Sequence, residues 1–108
     1  MNTCSHKQII RVLEDPTRER VSELFKAMGD LTRIGILCLL SNGDQKVCEL
    51  AEDLGMTPSA ISHQLRLLRN LRIVRSRRDG RHIIYSLDDG HIGALLHIAL
   101  IHVEEPTK

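Results

Sequence analysis

A small, mainly α-helical fold closed by a β-hairpin is what this sequence predicts, on three observations. Aliphatic residues recur at helical spacing through most of the chain. Two of the helices are separated only by a short turn containing Gly55. An Asp79-Gly80 pair lies between two runs rich in Ile, Val and Arg, a strong hairpin signal. The 108 residues suffice for one domain with a modest core, and chains of this size commonly gain buried surface by pairing with a second copy. Apolar residues make up 42% of the chain, which argues against a disordered polymer. Trp is absent, with one Tyr and one Phe, so the core must be aliphatic.

The elements follow in order. Residues 1–16 are polar and mixed and read as a mobile N-terminal arm, in which 7–14 can form a short helix before Pro16. Thr17 can cap a helix whose apolar positions are Val21, Leu24, Phe25 and Met28, and Gly29 ends it. Asp30 can cap a second helix carrying Ile34, Leu37, Cys38 and Leu40, with Cys38 expected in the core. Ser41-Asn42-Gly43-Asp44 stops that helix. A short helix over 47–54 closes at Gly55. Thr57 as cap and Pro58 at the first helical position, where its missing N–H costs nothing, open the next. That helix runs to about Leu71, its apolar face built from Ile61, Leu65, Leu68 and Leu71. Residues 73–78 and 81–87 read as two strands around Asp79-Gly80. A last helix covers 89–105 and stops at Pro106, leaving 106–108 as a tail. Residues 17–105 therefore form one winged helix-turn-helix domain for DNA binding and dimerisation.

The net charge of +1 says little about partners, but its distribution says more. Between Arg66 and Arg81 there are seven arginines against one acid, Asp79. That stripe has the sign a phosphate backbone attracts. The helix starting at Thr57 presents Ser59, Ser62, His63, Gln64 and Arg66 in its N-terminal half, the half that enters the major groove in helix-turn-helix proteins. Gln can pair two-pronged with adenine, and Ser can reach base edges or phosphates. Arg77, Arg78 and Arg81 on the hairpin would lie along the backbone or minor groove of double-stranded operator DNA. No apolar run suits a signal peptide or a membrane span, so a cytoplasmic protein with no membrane partner is expected. The three cysteines, Cys4, Cys38 and Cys48, are then expected as reduced thiols.

The stretch SAISHQLRLLRNLRIVRSRRDGRHIIYSL, with FKAMGDLTRIGILCLL upstream, resembles the core of the ArsR/SmtB family of bacterial metal-responsive repressors over residues 20–105. The resemblance implies a winged-helix homodimer that represses transcription until an inducer releases it. Which inducer is a separate question.

The final helix carries Asp89, His91, His97, His102 and Glu105. His91 and His102 are eleven residues apart, about three turns plus roughly 20°, and so share a face. They are also about 16 Å apart along the axis, too far for one chain to bring both to one ion. An antiparallel twin across a two-fold axis removes the difficulty, because facing residues then have a constant index sum. That sum is 193 for His91 with His102 and 194 for Asp89 with Glu105. One register thus sets Asp89 and His91 of one chain against His102 and Glu105 of the other, twice per dimer. Two imidazoles and two carboxylates suit Zn2+, with Co2+ as a possible substitute. The pattern D-x-H-x(10)-H-x(2)-E also matches, position by position, that of SmtB-type members of the family. His97 falls about 120° off the His91 face and is read as structural. The resemblance further implies that the second ring nitrogen of His102 donates to a backbone carbonyl near Arg72.

Other readings remain open. A second family site uses thiolates before the recognition helix; here Lys46-Val47-Cys48 keeps one of them, and Cys4, His6 and Cys48 could hold a soft ion such as cadmium or lead. Thiol oxidation through Cys4 and Cys48 is another possible trigger, and a purely structural zinc would make the metal-free chain monomeric. Hydrolytic zinc chemistry fits poorly, since four side chains at a helix seam leave neither an open coordination position nor a pocket for a small-molecule substrate.

Overall fold

The computed structural model describes Leu13 and residues 16–106. In chain order these form α1 (Thr17–Met28), α2 (Leu31–Ser41), β1 (Gln45–Lys46), α3 (Val47–Leu54), α4 (Pro58–Asn70), β2 (Val74–Asp79), β3 (His82–Leu87) and α5 (Gly90–Glu104). Helices α3 and α4 are the helix-turn-helix, and the hairpin behind them is the wing. The expected helix over 7–14 lies outside the described residues apart from Leu13.

Local chemistry accounts for most boundaries. The Asp30 carboxylate accepts from the Arg33 amide at 3.1 Å and starts α2. Thr57 does the same for α4 through the Ala60 amide at 3.1 Å, with Pro58 behind it. Thr17, by contrast, is the first residue of α1 and not its cap. Pro16 is the boundary residue and is already helical (φ −58, ψ −11), its ring fixing a φ that suits a helix start.

Two helices end in the same hydrogen-bonded device. At α3 the Met56 amide donates to the Ala51 carbonyl (2.9 Å) and Gly55 adopts φ 62. At α4 the Ile73 amide donates to the Leu68 carbonyl (2.9 Å), and the left-handed residue is Arg72, φ 59. The buried Ile73 then leads straight into the sheet.

That sheet has three antiparallel strands in the order β1-β3-β2. Its third strand, β1, is two residues long and pairs Gln45 with Tyr85 and Lys46 with Ile84. No alternation can be read from two residues, so the sequence predicts only a hairpin. The hairpin register also differs from expectation. Asp79 pairs with His82, so the turn is Gly80-Arg81, with Gly80 (φ 63) at the first central position. Arg77 therefore opposes Ile84 and Arg78 opposes Ile83, on opposite faces of the wing.

The core lies where α2, α3, α4 and the sheet meet. Ile36, Leu37, Leu50, Ile61, Leu65, Leu68 and Ile73 are fully buried there, each contributing about 1.5–3 kcal/mol relative to exposure. Leu71, expected on this face, is instead the boundary residue of α4 and exposed. Cys38 is exposed as well, because Leu37 and Leu40 take the inward positions of α2. On α1, Met28 is buried and Leu24 packs on the core, whereas Val21 and Phe25 face outward. Among the described residues no helix is long and apolar enough to cross a membrane.

Candidate nucleic-acid interface and metal-ligand positions

Helix α4 buries Ile61, Leu65 and Leu68, and that fixes what it presents. Ser59, His63, Arg66 and Asn70 recur at intervals of four, three and four, and all are exposed. They form the outward ridge. Ser62 is half-buried beside it. Gln64 is half-buried on the other flank, where its side-chain oxygen accepts from Arg33 Nε at 2.9 Å. That contact engages the Gln64 oxygen and holds the side chain off the outward ridge, while the oxygen's second lone pair and the NH2 group keep their hydrogen-bonding capacity.

The wing arginines divide similarly. Arg78 and Arg81 are exposed at and near the tip. Arg77 donates to the Asp44 carboxylate at 2.7 Å, tying the wing to the turn after α2. A pair this exposed stabilises by about 0–1 kcal/mol and is screened by salt, so Arg77 can still exchange Asp44 for a phosphate. Cys48, exposed, opens with Pro58, Arg81 and His82 onto a cleft of about 330 Å³ between α3 and the wing. Cys4 and His6 lie outside the described residues.

Sequence reasoning missed Arg33. The signal was the run Lys26-Ala27-Met28-Gly29-Asp30, where the cap residue Asp30 fixes the turn that aims Arg33 back. Its guanidinium donates to the Ala27 carbonyl at 3.1 Å and the Lys26 carbonyl at 3.4 Å, at the negative end of α1.

Helix α5 differs from every other helix in how little of it is covered. Only Ile92 is buried, with Leu95 and Leu96 packed against the core. Ile98 (61% exposed), Leu100, Ile101 and Val103 (76% exposed) face solvent on one chain. A helix this apolar needs a second surface. The candidate ligands sit at its two ends. Asp89 caps the helix, its carboxylate accepting from the His91 amide at 2.8 Å, and the same oxygen lies 3.2 Å from His91 Nδ1. The His91 amide, and after it the His91 imidazole, hold the Asp89 carboxyl below the usual carboxylate range. At the far end, His102 is in the last turn and exposed. Glu105 is not one helical turn beyond it: it is the boundary residue, extended at φ −63, ψ 139, as a residue before proline prefers. Neither Lys nor Arg occurs between Asp88 and Pro106, so no side-chain cation on this segment competes for its carboxylates and imidazoles. Within one chain no group of three His, Cys, Asp or Glu able to hold an ion occurs among the described residues.

The family model for the bacterial regulatory protein arsR family matches residues 30–76. The transcriptional regulator NmtR of Mycobacterium tuberculosis is 45% identical over 85% of this chain and 77% of its own length. A solution structure of apo-NmtR superposes with a TM-score of 0.72 at 39% identity, over 96% of this chain and 81% of that one. A cadmium resistance regulatory protein, a CadC homologue of Staphylococcus aureus, is 41% identical over 79% of this chain and 71% of its own. The homodimeric winged helix-turn-helix DNA-binding domain of Mb0332 from Mycobacterium bovis shares the fold, with a TM-score of 0.78 at 24% identity, covering 97% of this chain and 92% of that one. By name NmtR and the CadC homologue are transcriptional regulators and not enzymes.

Proposed function

The chain belongs to the arsR family of bacterial transcriptional regulators, and from that premise we propose that it is a zinc-responsive repressor. Its metal-free homodimer, in the cytoplasm, holds double-stranded operator DNA through two copies of α4 and the wing, and lets go when zinc joins the two α5 helices. Residues 17–105 form the working domain in this reading, with 1–16 an arm and 106–108 a tail.

The observation that carries the reading is α5 itself. It is apolar and nearly uncovered on one chain, and the four candidate ligands stand at its ends, with His97 the one histidine between them. Pairing with an antiparallel copy covers Ile98 and Ile101 and sets Asp89 and His91 against the partner's end of the seam. Asp89 and His91 are already neighbours in one chain, which supports their acting as one pair of donors. Zinc, once bound, supplies a cross-link through nitrogen and oxygen ligands. On the DNA side, Ser59, Ser62, His63 and Arg66 reach the groove, and Arg77, Arg78 and Arg81 the backbone. Release requires that zinc bind the DNA-free arrangement more tightly than the DNA-bound one, and linkage then makes DNA weaken zinc by the same factor.

Operator affinity measured by fluorescence anisotropy at fixed salt tests this. Zinc should weaken the wild type tenfold or more, about 1.4 kcal/mol of coupling, and leave His91→Ala/His102→Ala bound. Equal affinity with and without zinc in both proteins would sink the reading. The exposed Cys48 favours a second one, a soft-ion or thiol-oxidation trigger. Cadmium or a mild oxidant would then release DNA from the wild type and not from Cys48→Ser.

A further inference from the structure

We propose that Arg33 is a positioning residue for DNA binding, which locks the recognition helix α4 to helix α1 through Gln64, and that Gln64 is the partner in this lock and not a reader of bases. The inference rests on the DNA-binding reading above and adds a part to it.

Three observations carry it. First, packing alone holds α1 loosely with respect to α4. Helix α1 packs chiefly on α2, and a cleft of about 250 Å³ lined by Glu23, Lys26, Ala27, Arg33, Leu67 and Leu71 separates it from α4. Second, Arg33 spans that cleft. Its guanidinium donates to the last carbonyls of α1 (Ala27 at 3.1 Å, Lys26 at 3.4 Å) and to Gln64 at 2.9 Å. Among the described residues no other side chain is seen hydrogen-bonding to both helices. Third, the chemistry of the contact fixes which way Gln64 points. Arginine has only donors, so the atom it meets must be the amide oxygen of Gln64. That ties the Gln64 oxygen to Arg33 and holds the side chain half-buried, on the flank away from the ridge of Ser59, His63 and Arg66.

Helix α1 also exposes the apolar side chains of Val21 and Phe25. Arg33 therefore links a helix with uncovered apolar surface to the reading helix of the same chain. In a dimer that must place two recognition helices in successive grooves, a link of this kind sets their spacing. Losing it weakens binding to every sequence alike, whereas losing a base reader relaxes preference at one position.

The test uses the full-length metal-free protein and a duplex enriched from a random-sequence pool by the wild type, together with versions of that duplex altered at each base pair. Gln64→Glu keeps an acceptor for Arg33 but removes the donor. It adds a negative charge beside the DNA, which lowers affinity for every sequence alike, and it should keep the wild type's base preferences. Gln64→Met leaves the net charge unchanged and breaks the link; it should bind tenfold or more weakly, uniformly across the altered duplexes. Arg33→Met should do the same, and the double variant should be no weaker than the weaker single one. Thermal melting of each variant separates loss of the link from loss of the fold, and Gln64→Met on the helix flank is the variant expected to melt like the wild type. A Gln64→Glu or Gln64→Met protein that loses preference at one base pair makes Gln64 a reader and overturns the proposal. So does Gln64→Met binding as well as the wild type. A wild type that enriches no duplex brings down the DNA-binding reading, and this inference with it.

Discussion

The helix-turn-helix with its wing and the first and last helices, α1 and α5, are built from similar aliphatic residues, yet the former is finished within the chain and the latter are not. Leu50, Ile61, Leu65 and Leu68 are fully buried among elements of the same chain, and both ends of α4 are capped. On α5 the C-terminal half, from His97 onward, is exposed on every face, and α1 adds exposed Val21 and Phe25. On the proposed function, the difference matches two jobs. A surface that reads DNA must keep its shape whether or not a signal is present. A surface that senses a metal through two chains must be complete only in the assembly, where its arrangement can change.

Two substitutions test that division most strongly. Leu65→Ala removes a side chain with no exposed surface and should destabilise the protein by about 3 kcal/mol in urea unfolding, because the cavity lies under the reading helix. Ile98→Glu touches a residue 61% exposed on one chain, so it should leave the helical circular dichroism signal nearly unchanged. Its effect should instead be on assembly: a dimer dissociation constant raised a hundredfold or more, about 2.7 kcal/mol, in sedimentation equilibrium. If Ile98→Glu stayed dimeric at the same concentrations, α5 would not be the seam.

Asp89 stands where the two regions meet, since it caps α5 and is also a candidate ligand. Asparagine caps a helix as well as aspartate does but carries no charge. Asp89→Asn should therefore leave the urea midpoint of the metal-free protein nearly unchanged. Zinc affinity should fall tenfold or more in competition with a chromophoric chelator. Unchanged zinc affinity would leave Asp89 as a cap alone.

The finished region was the more legible one in the sequence. Asp30, Thr57, Pro58 and Gly55 each carry a local signal that needs no tertiary context, and the structure uses each as expected. What failed had the opposite character. Strand β1 is too short for a pattern, and Cys38 was placed inside because free thiols usually are, whereas burial on α2 is decided by its neighbours. The hairpin turn moved by one residue because Gly80 is placed where the backbone needs a positive φ. Gln64 was read as exposed because the opposing arginine is 31 residues away in the chain. The seam could be deduced only by supposing a second copy, and the index sums do that without saying what the ligands do in one chain, such as Glu105 leaving the helix before Pro106.

The smallest effect concerns a feature that the two helices of the helix-turn-helix share at their C-terminal ends. Gly55 and Arg72 occupy the same position in the same terminating device, with φ 62 and φ 59. An L-residue with a Cβ is disfavoured in that conformation by roughly 1–2 kcal/mol, and glycine avoids that at some cost in unfolded-state entropy. Gly55→Ala should thus destabilise by about 1 kcal/mol, and Arg72→Gly should stabilise by about 0.5 kcal/mol, both read from the urea midpoint at constant slope. A stabilised Arg72→Gly protein would mean that the strain at the end of α4 is not needed for folding. The arginine side chain, at the mouth of the cleft with Arg20 and Glu23, would then be kept for what it does between α4 and α1. If Arg72→Gly is destabilised instead, the arginine makes contacts there that outweigh its backbone strain, and the end of the reading helix is held by its side chain as well as by its hydrogen bonds.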